Sequence, residues 1–167
     1  VRAGRGRARD CRSAPRRLIR QAMPITVFVA DDHAIVREGL ASLLGAQADI
    51  HVVGTAADGR DAVRQIAKLS PEVVVMDIAM PNMNGIEAAR ELRERVPQAR
   101  VIILSMHSSS EHVFHALEAG ASGYLLKESA AREIIAAVRA VRAGHRYLSK
   151  KVAQVLADNI SRSSASS

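Results

Sequence analysis

The stretch VVVMDIAMPNMNG, residues 73–85, holds a strand, a turn and the start of a helix. Its first residues are apolar without alternation, so 72–77 (EVVVMD) is a strand covered on both faces. The strand stops at Asp77. Pro81 and Gly85 then punctuate a tight turn, and NGIEAARELRERV follows with apolar residues at helical spacing.

The same unit recurs on either side. ITVFVA (25–30), IHVVGTA (50–56), RVIILS (100–105) and SGYLLK (122–127) are further strands. Between them lie segments with helical periodicity: Ile35, Val36, Leu40, Leu43 and Leu44 in the first, Val63, Ile66 and Leu69 in the second. Gly120 closes the fourth helix, and Ser129 and Gly144 bracket the fifth as N-cap and stop. Apolar strands alternating with helices predict an α/β domain over residues 23–145, a doubly wound, flavodoxin-like parallel sheet of five strands in the order 2-1-3-4-5 with helices on both faces. Residues 146–160 follow as a linker with a short amphipathic helix carrying Val152, Val155 and Leu156, and 161–167 as a disordered polar tail.

Composition narrows the function classes. A single cysteine, Cys11, excludes an internal disulfide and a cysteine zinc cage. Aromatic residues make up 2% of the chain and tryptophan is absent, which argues against a base-stacking surface. No apolar run approaches the length of a membrane span. The net charge of +7 would suggest nucleic acid. All of it lies in residues 1–21, where eight arginines face only Asp10, and the remainder is neutral. Two readings stand for residues 1–22: an Arg-rich transit or nucleic-acid-binding arm, or, the reading preferred, a disordered segment upstream of a start at Met23. The neutral body offers no DNA-binding face.

Ligands of doubly wound sheets bind beyond the carboxyl ends of the strands. Those ends carry Asp31 and Asp32, Asp77, Ser105 and Lys127. Strands 1, 3 and 4 are neighbours in such a sheet, so three carboxylates crowd one cleft and call for a cation. Hard oxygen donors around an open position suit Mg²⁺. A hydroxyl and a lysine beside them suit an anionic phosphoryl group arriving on one carboxylate. Each residue alone has a plainer reading: an aspartate before a helix caps it, a serine sits in a loop, a lysine is solvated. Their convergence at one end of one sheet is what carries weight. His112 and His115, three apart on a helix, lack a third ligand, and His107 lies at the pocket rim.

With these residues in place, the sequence resembles the receiver domain of bacterial two-component response regulators, in the NarL/FixJ-like branch whose receivers precede a LuxR-type helix-turn-helix. The resemblance spans about residues 24–160 and rests on VFVADDHAIVREGL, VVVMDIAMPNMNGIEAAREL, VIILSMH and ALEAGASGYLLKESAAREI. It implies that Asp77 is the phosphoacceptor nucleophile and that Asp32 and Asp77 ligate Mg²⁺ directly, with the Ala79 backbone carbonyl as third protein ligand and Asp31 as the outer acid. It implies that Lys127 pairs with the phosphoryl oxygens and that Ser105 hydrogen-bonds the phosphoryl group. Tyr124 would be the switch aromatic that rotates inward. Ser105 replaces the threonine of many relatives. Glu128 follows Lys127 where many receivers have proline, so no cis bond is expected there. After the helix at 148–160 only seven residues remain, so no DNA-reading element is expected in this sequence.

The resemblance implies a phosphorylation switch, not a conventional enzyme. It would be cytoplasmic, served by a sensor histidine kinase, able to form a phosphorylation-dependent homodimer, and without membrane or direct DNA contact. Phosphorylation would change the face built by the fourth helix, fifth strand and fifth helix, and so control transcription through a DNA-binding domain. A stand-alone adaptor acting by protein contacts is the alternative. A haloacid-dehalogenase-type phosphohydrolase would need an acid at position 79, where alanine stands. A flavodoxin-type flavin carrier would need a Ser/Thr/Gly-rich first loop, where Asp-Asp-His stands.

Overall fold

The computed structural model describes residues 23–165; the basic segment 1–22 and residues 166–167 lie outside the described residues. In chain order the strands are β1 (Ile25–Ala30), β2 (Ile50–Ala56), β3 (Val73–Asp77), β4 (Arg100–Ser105), β5 (Gly123–Leu126) and β6 (Tyr147–Leu148). The helices are α1 (Ala34–Gly45), α2 (Gly59–Leu69), α3 (Gly85–Arg95), α4 (Ser110–Glu118), α5 (Ala130–Arg142) and α6 (Lys150–Ala165). All strand pairings are parallel, in the order β2-β1-β3-β4-β5-β6. This is the expected flavodoxin-like sheet with a sixth strand added at the β5 edge.

The pleat sorts the strand residues onto two faces. Val27, Val29, Val73, Val75, Ile102, Leu104 and Leu125 pack with Leu40 and Leu44 of α1 and with Ile134, Val138 and Val141 of α5. Phe28, Val74, Met76, Ile103 and Tyr124 pack with Val63 and Ile66 of α2, Leu92 of α3, Val113 of α4 and Val152 of α6. Of the predicted helix positions, Ile35, Leu43 and Leu69 instead face solvent, because each lies outside the stripe that meets the sheet.

Local chemistry sets the helix starts. Asp58 accepts from the Asp61 N–H at 2.7 Å at the head of α2. Asn84 accepts from the Glu87 N–H at 2.9 Å, while its own amide donates to the Glu87 carboxylate at 2.7 Å, a reciprocal cap at the head of α3. Ser129 stands at the N-cap position of α5 but makes no capping bond; its hydroxyl donates to Glu133 instead. Gly120 and Gly144 end α4 and α5 in positive φ as expected.

The C-terminal region differs most from the sequence reading. Residues 147–148 form a strand and not part of a helix, and α6 begins at Lys150 and continues to Ala165, past Ile160. β6 is only two residues long, below the length at which period-two alternation registers. The serines after Ile160 have intermediate helix propensity and are carried on by the preceding turns. Among the described residues no helix is long and apolar enough to cross a membrane.

Candidate functional site

The site is built where β1, β3 and β4 end side by side. β1 and β3 are in register at Ala30 and Met76, so Asp31 and Asp77 emerge next to each other. Asp77 pairs with Leu104, and Ser105 follows one residue on. Lys127 follows β5 directly, its N–H donating to the Ser105 carbonyl at 2.9 Å.

The loop after Asp77 is held by a close backbone approach. The Gly85 N–H donates to the Ile78 carbonyl at 2.9 Å, and a Cβ at Gly85 would stand 2.3 Å from the Asp77 carbonyl oxygen. Only glycine fits there. Asn82 takes a left-handed φ of 68° to reverse the chain. The turn predicted from Pro81 and Gly85 is therefore present, and Gly85 is its steric pivot.

Asp31 and Asp77 are buried, and so is Ser105. The Lys127 Nζ lies 2.9 Å from Asp77 Oδ2 and 3.4 Å from Asp31 Oδ2. Burial pushes the Asp77 carboxyl up to about 6; the Lys127 hydrogen bond opposes this, and the Asp31 charge adds to it. Burial works against the Lys127 charge, but the two carboxylates outweigh it and hold the ammonium above its ordinary range. Asp31 Oδ2 is buried with no hydrogen-bond partner. One lysine thus serves two buried acids, and the Asp31 oxygen it faces at 3.4 Å has an ion pair but no hydrogen bond.

Asp32 is half exposed at the mouth. Asp31, Asp32, His33 and Asp77 each bring one ligand atom to within 4.8 Å of the others. The three hard carboxylates, with a buried Asp31 oxygen that makes no hydrogen bond, fit a divalent cation. Ala79 lies exposed in the loop, and its N–H donates to Asp77 Oδ1 at 3.3 Å. His33 was not foreseen in this role. Its Nδ1 lies 3.1 Å from Asp32 Oδ1 and 3.3 Å from Asp31 Oδ1. Its place directly after the acidic pair was the available signal.

Tyr124 is found inward, fully buried, with its hydroxyl donating to the His107 carbonyl at 2.6 Å. Ser105 Oγ accepts from the His107 N–H at 3.0 Å. Ser105 and Tyr124 therefore hold the same β4–α4 loop from two sides. His107 is exposed at the rim as expected and stacks on His112, with ring centroids 4.5 Å apart. His112 and His115 do not join the acidic cluster.

Residues 27–139 match the model of the response regulator receiver domain. The chain belongs to the response regulator receiver family. This receiver is 43% identical over 128 residues to the transcriptional regulatory protein DegU of Brevibacillus brevis, covering 77% of this chain and 54% of that protein. It is 44% identical over 129 residues to the transcriptional regulatory protein LiaR of Bacillus subtilis (strain 168), covering 77% and 61%. The receiver spans little more than half the length of these curated relatives. Among solved structures, a LuxR-family two-component response regulator from Aurantimonas sp. SI85-9A1 superposes with a TM-score of 0.78 at 40% identity, over 81% of this chain and 97% of that one. The receiver fold, the acidic pocket and the kinship with LuxR-family regulators thus agree.

Proposed function

We propose that this receiver is a phosphoacceptor switch in which Asp77 takes a phosphoryl group from the phosphohistidine of a sensor histidine kinase. The observation that carries the reading is the buried Asp77 carboxylate held by Lys127 beside a buried Asp31 oxygen that makes no hydrogen bond. An Asp77 oxygen forms the new bond to phosphorus as the phosphorus–nitrogen bond of the donor breaks, its electron pair returning to the imidazole. Such transfers depend on positioning and charge neutralisation more than on covalent help. Lys127 neutralises charge on the phosphoryl oxygens, and Ser105 supplies a hydroxyl to one of them. Asp31, Asp32, Asp77 and the Ala79 carbonyl would hold Mg²⁺, which supplies further charge neutralisation when bound.

The phosphoryl group adds about two negative charges to a buried edge. That rebiases Ser105, Tyr124 and the β4–α4 loop they hold, and with it the α4–β5–α5 face. The output would be homodimer formation and control of transcription through a DNA-binding domain, in the cytoplasm. The domain acts as a self-catalysing acceptor, not as an enzyme turning over a separate substrate.

Incubation with Mg²⁺ and acetyl phosphate tests the assignment. Intact mass should rise by one phosphoryl group in wild type and stay unchanged in Asp77→Ala. Equal labelling of the two would overturn it.

A further inference from the structure

The α4–β5–α5 face is partly covered by the chain's own C-terminal segment. β6 extends the sheet beyond β5, with Tyr147 N–H donating to the Ser122 carbonyl at 3.1 Å and Ser149 N–H to the Tyr124 carbonyl at 2.9 Å. α6 then lies against α4, with Val152 fully buried and Leu148 and Leu156 packed against the cluster that contains Val113, Ala116 and Tyr124.

One carboxylate ties this segment down. Glu133, in the first turn of α5, accepts from Ser149 Oγ at 2.8 Å, from Ser129 Oγ at 2.7 Å and from the Tyr147 hydroxyl at 3.2 Å. Ser149 and Tyr147 lie just before the first residue of α6, Lys150, so the Glu133 carboxylate they hold stands close to the N-terminus of that helix, where negative charge is favourable. Burial raises the Glu133 carboxyl, but these donors outweigh it and hold the group below its ordinary range. Ser149 is itself buried, and its Oγ accepts from the Leu126 N–H at 3.0 Å. Leu126 directly precedes Lys127, whose ammonium binds Asp77. Two hydrogen bonds thus join the phosphoacceptor to Ser149 at the start of α6, Asp77 to Lys127 and Leu126 to Ser149, and a third ties Ser149 to Glu133 of α5.

We propose that Glu133 clasps residues 147–163 over the α4–β5 face as a releasable strap, and that its hold is set by where Lys127 sits. The strap blocks the β5 edge, whose Ser122 and Tyr124 carbonyls it occupies, and the inner face of α4. A phosphoryl group on Asp77 draws Lys127 toward its oxygens, displaces the adjoining Leu126 N–H from Ser149, and loosens the strap. The coupling rests on the phosphoacceptor reading above; the clasp does not.

Hydrogen exchange on the full chain, read by mass spectrometry, tests both parts. Glu133→Ala, and independently Ser149→Ala, should speed exchange across 147–163 by about tenfold or more, while β1 and β3 stay protected as the internal control for folding. Wild type carrying one phosphoryl group, confirmed by intact mass, should show the same local acceleration. Unchanged exchange at 147–163 in both variants would overturn the clasp. Unchanged exchange in protein shown to be phosphorylated would overturn the coupling. Failure to gain the phosphoryl mass would instead overturn the phosphoacceptor reading and the coupling with it, while the two variants still decide the clasp.

Discussion

Lys127 reaches across fifty positions of sequence to donate to Asp77 Oδ2 at 2.9 Å, while the same nitrogen stands 3.4 Å from Asp31 Oδ2. A single ammonium thereby lets two buried carboxylates share one cleft.

Removing that ammonium should move the Asp77 titration upward. In metal-free protein, Asp77 should titrate near 6, and in Lys127→Met above that, because burial and Asp31 both disfavour the carboxylate. Carboxyl carbon NMR reads the midpoint directly. The sign for stability follows: a carboxyl raised in the folded state contributes stability that is fully present below its unfolded value and lost as pH rises through about 6. Denaturant midpoints of metal-free wild type should show that fall, and those of Asp77→Asn should lack it. A Lys127→Met midpoint at or below that of wild type would remove Lys127 from its assigned place.

His33→Ala should separate metals by their chemistry. The imidazole Nδ1 stands beside Asp31 and Asp32, but Mg²⁺ prefers oxygen ligands and takes little from nitrogen. Calorimetric titration should give a Mg²⁺ affinity within about threefold of wild type and an affinity for Mn²⁺ or Zn²⁺ weakened by about tenfold or more. Equal losses for all three ions would show that His33 only shapes the two carboxylates.

Gly85→Ala should cost stability and labelling together. The added Cβ would meet the Asp77 carbonyl oxygen at 2.3 Å, and both partners are backbone, so neither can swing aside. We expect a loss of about 3 kcal/mol or more in denaturant unfolding. Acetyl phosphate labelling of whatever remains folded should slow, since the displaced peptide is that of Asp77 itself.

Phe28→Ala should destabilise by about 3–5 kcal/mol, because the ring is fully buried on the α2–α4 side of the sheet. Where the chain remains folded at low temperature, phosphoryl labelling should persist, since Phe28 lies within β1, three residues short of Asp31, and contributes no charged or hydroxyl group to the site.

Most of the fold was legible because the strands announce themselves. VVVMD and VIILS have no polar face, and an Asp, Ser or Lys at the carboxyl ends of β1, β3, β4 and β5 marks where the site must lie. The turn at 78–84 was legible through Pro81 and Gly85. What escaped was set by contacts between segments far apart in sequence. Tyr147 and Leu148 become a strand only because β5 offers an open edge. Ser129 looks like a capping serine, yet its hydroxyl answers Glu133, which also gathers Ser149 and Tyr147 from beyond α5. Glu133 itself had no signal, since a glutamate in a first helical turn is ordinarily a solvated charge. His33 was visible only as the neighbour of two aspartates.

The division of the strand side chains between two faces has an evolutionary consequence. The α1–α5 layer and the α2–α3–α4–α6 layer bury separate sets of residues, so substitutions in one layer should add to those in the other with little cross-talk. A lineage can therefore vary the residues packed beneath α4 and α6 while the opposite layer holds the sheet and its charged crest in place.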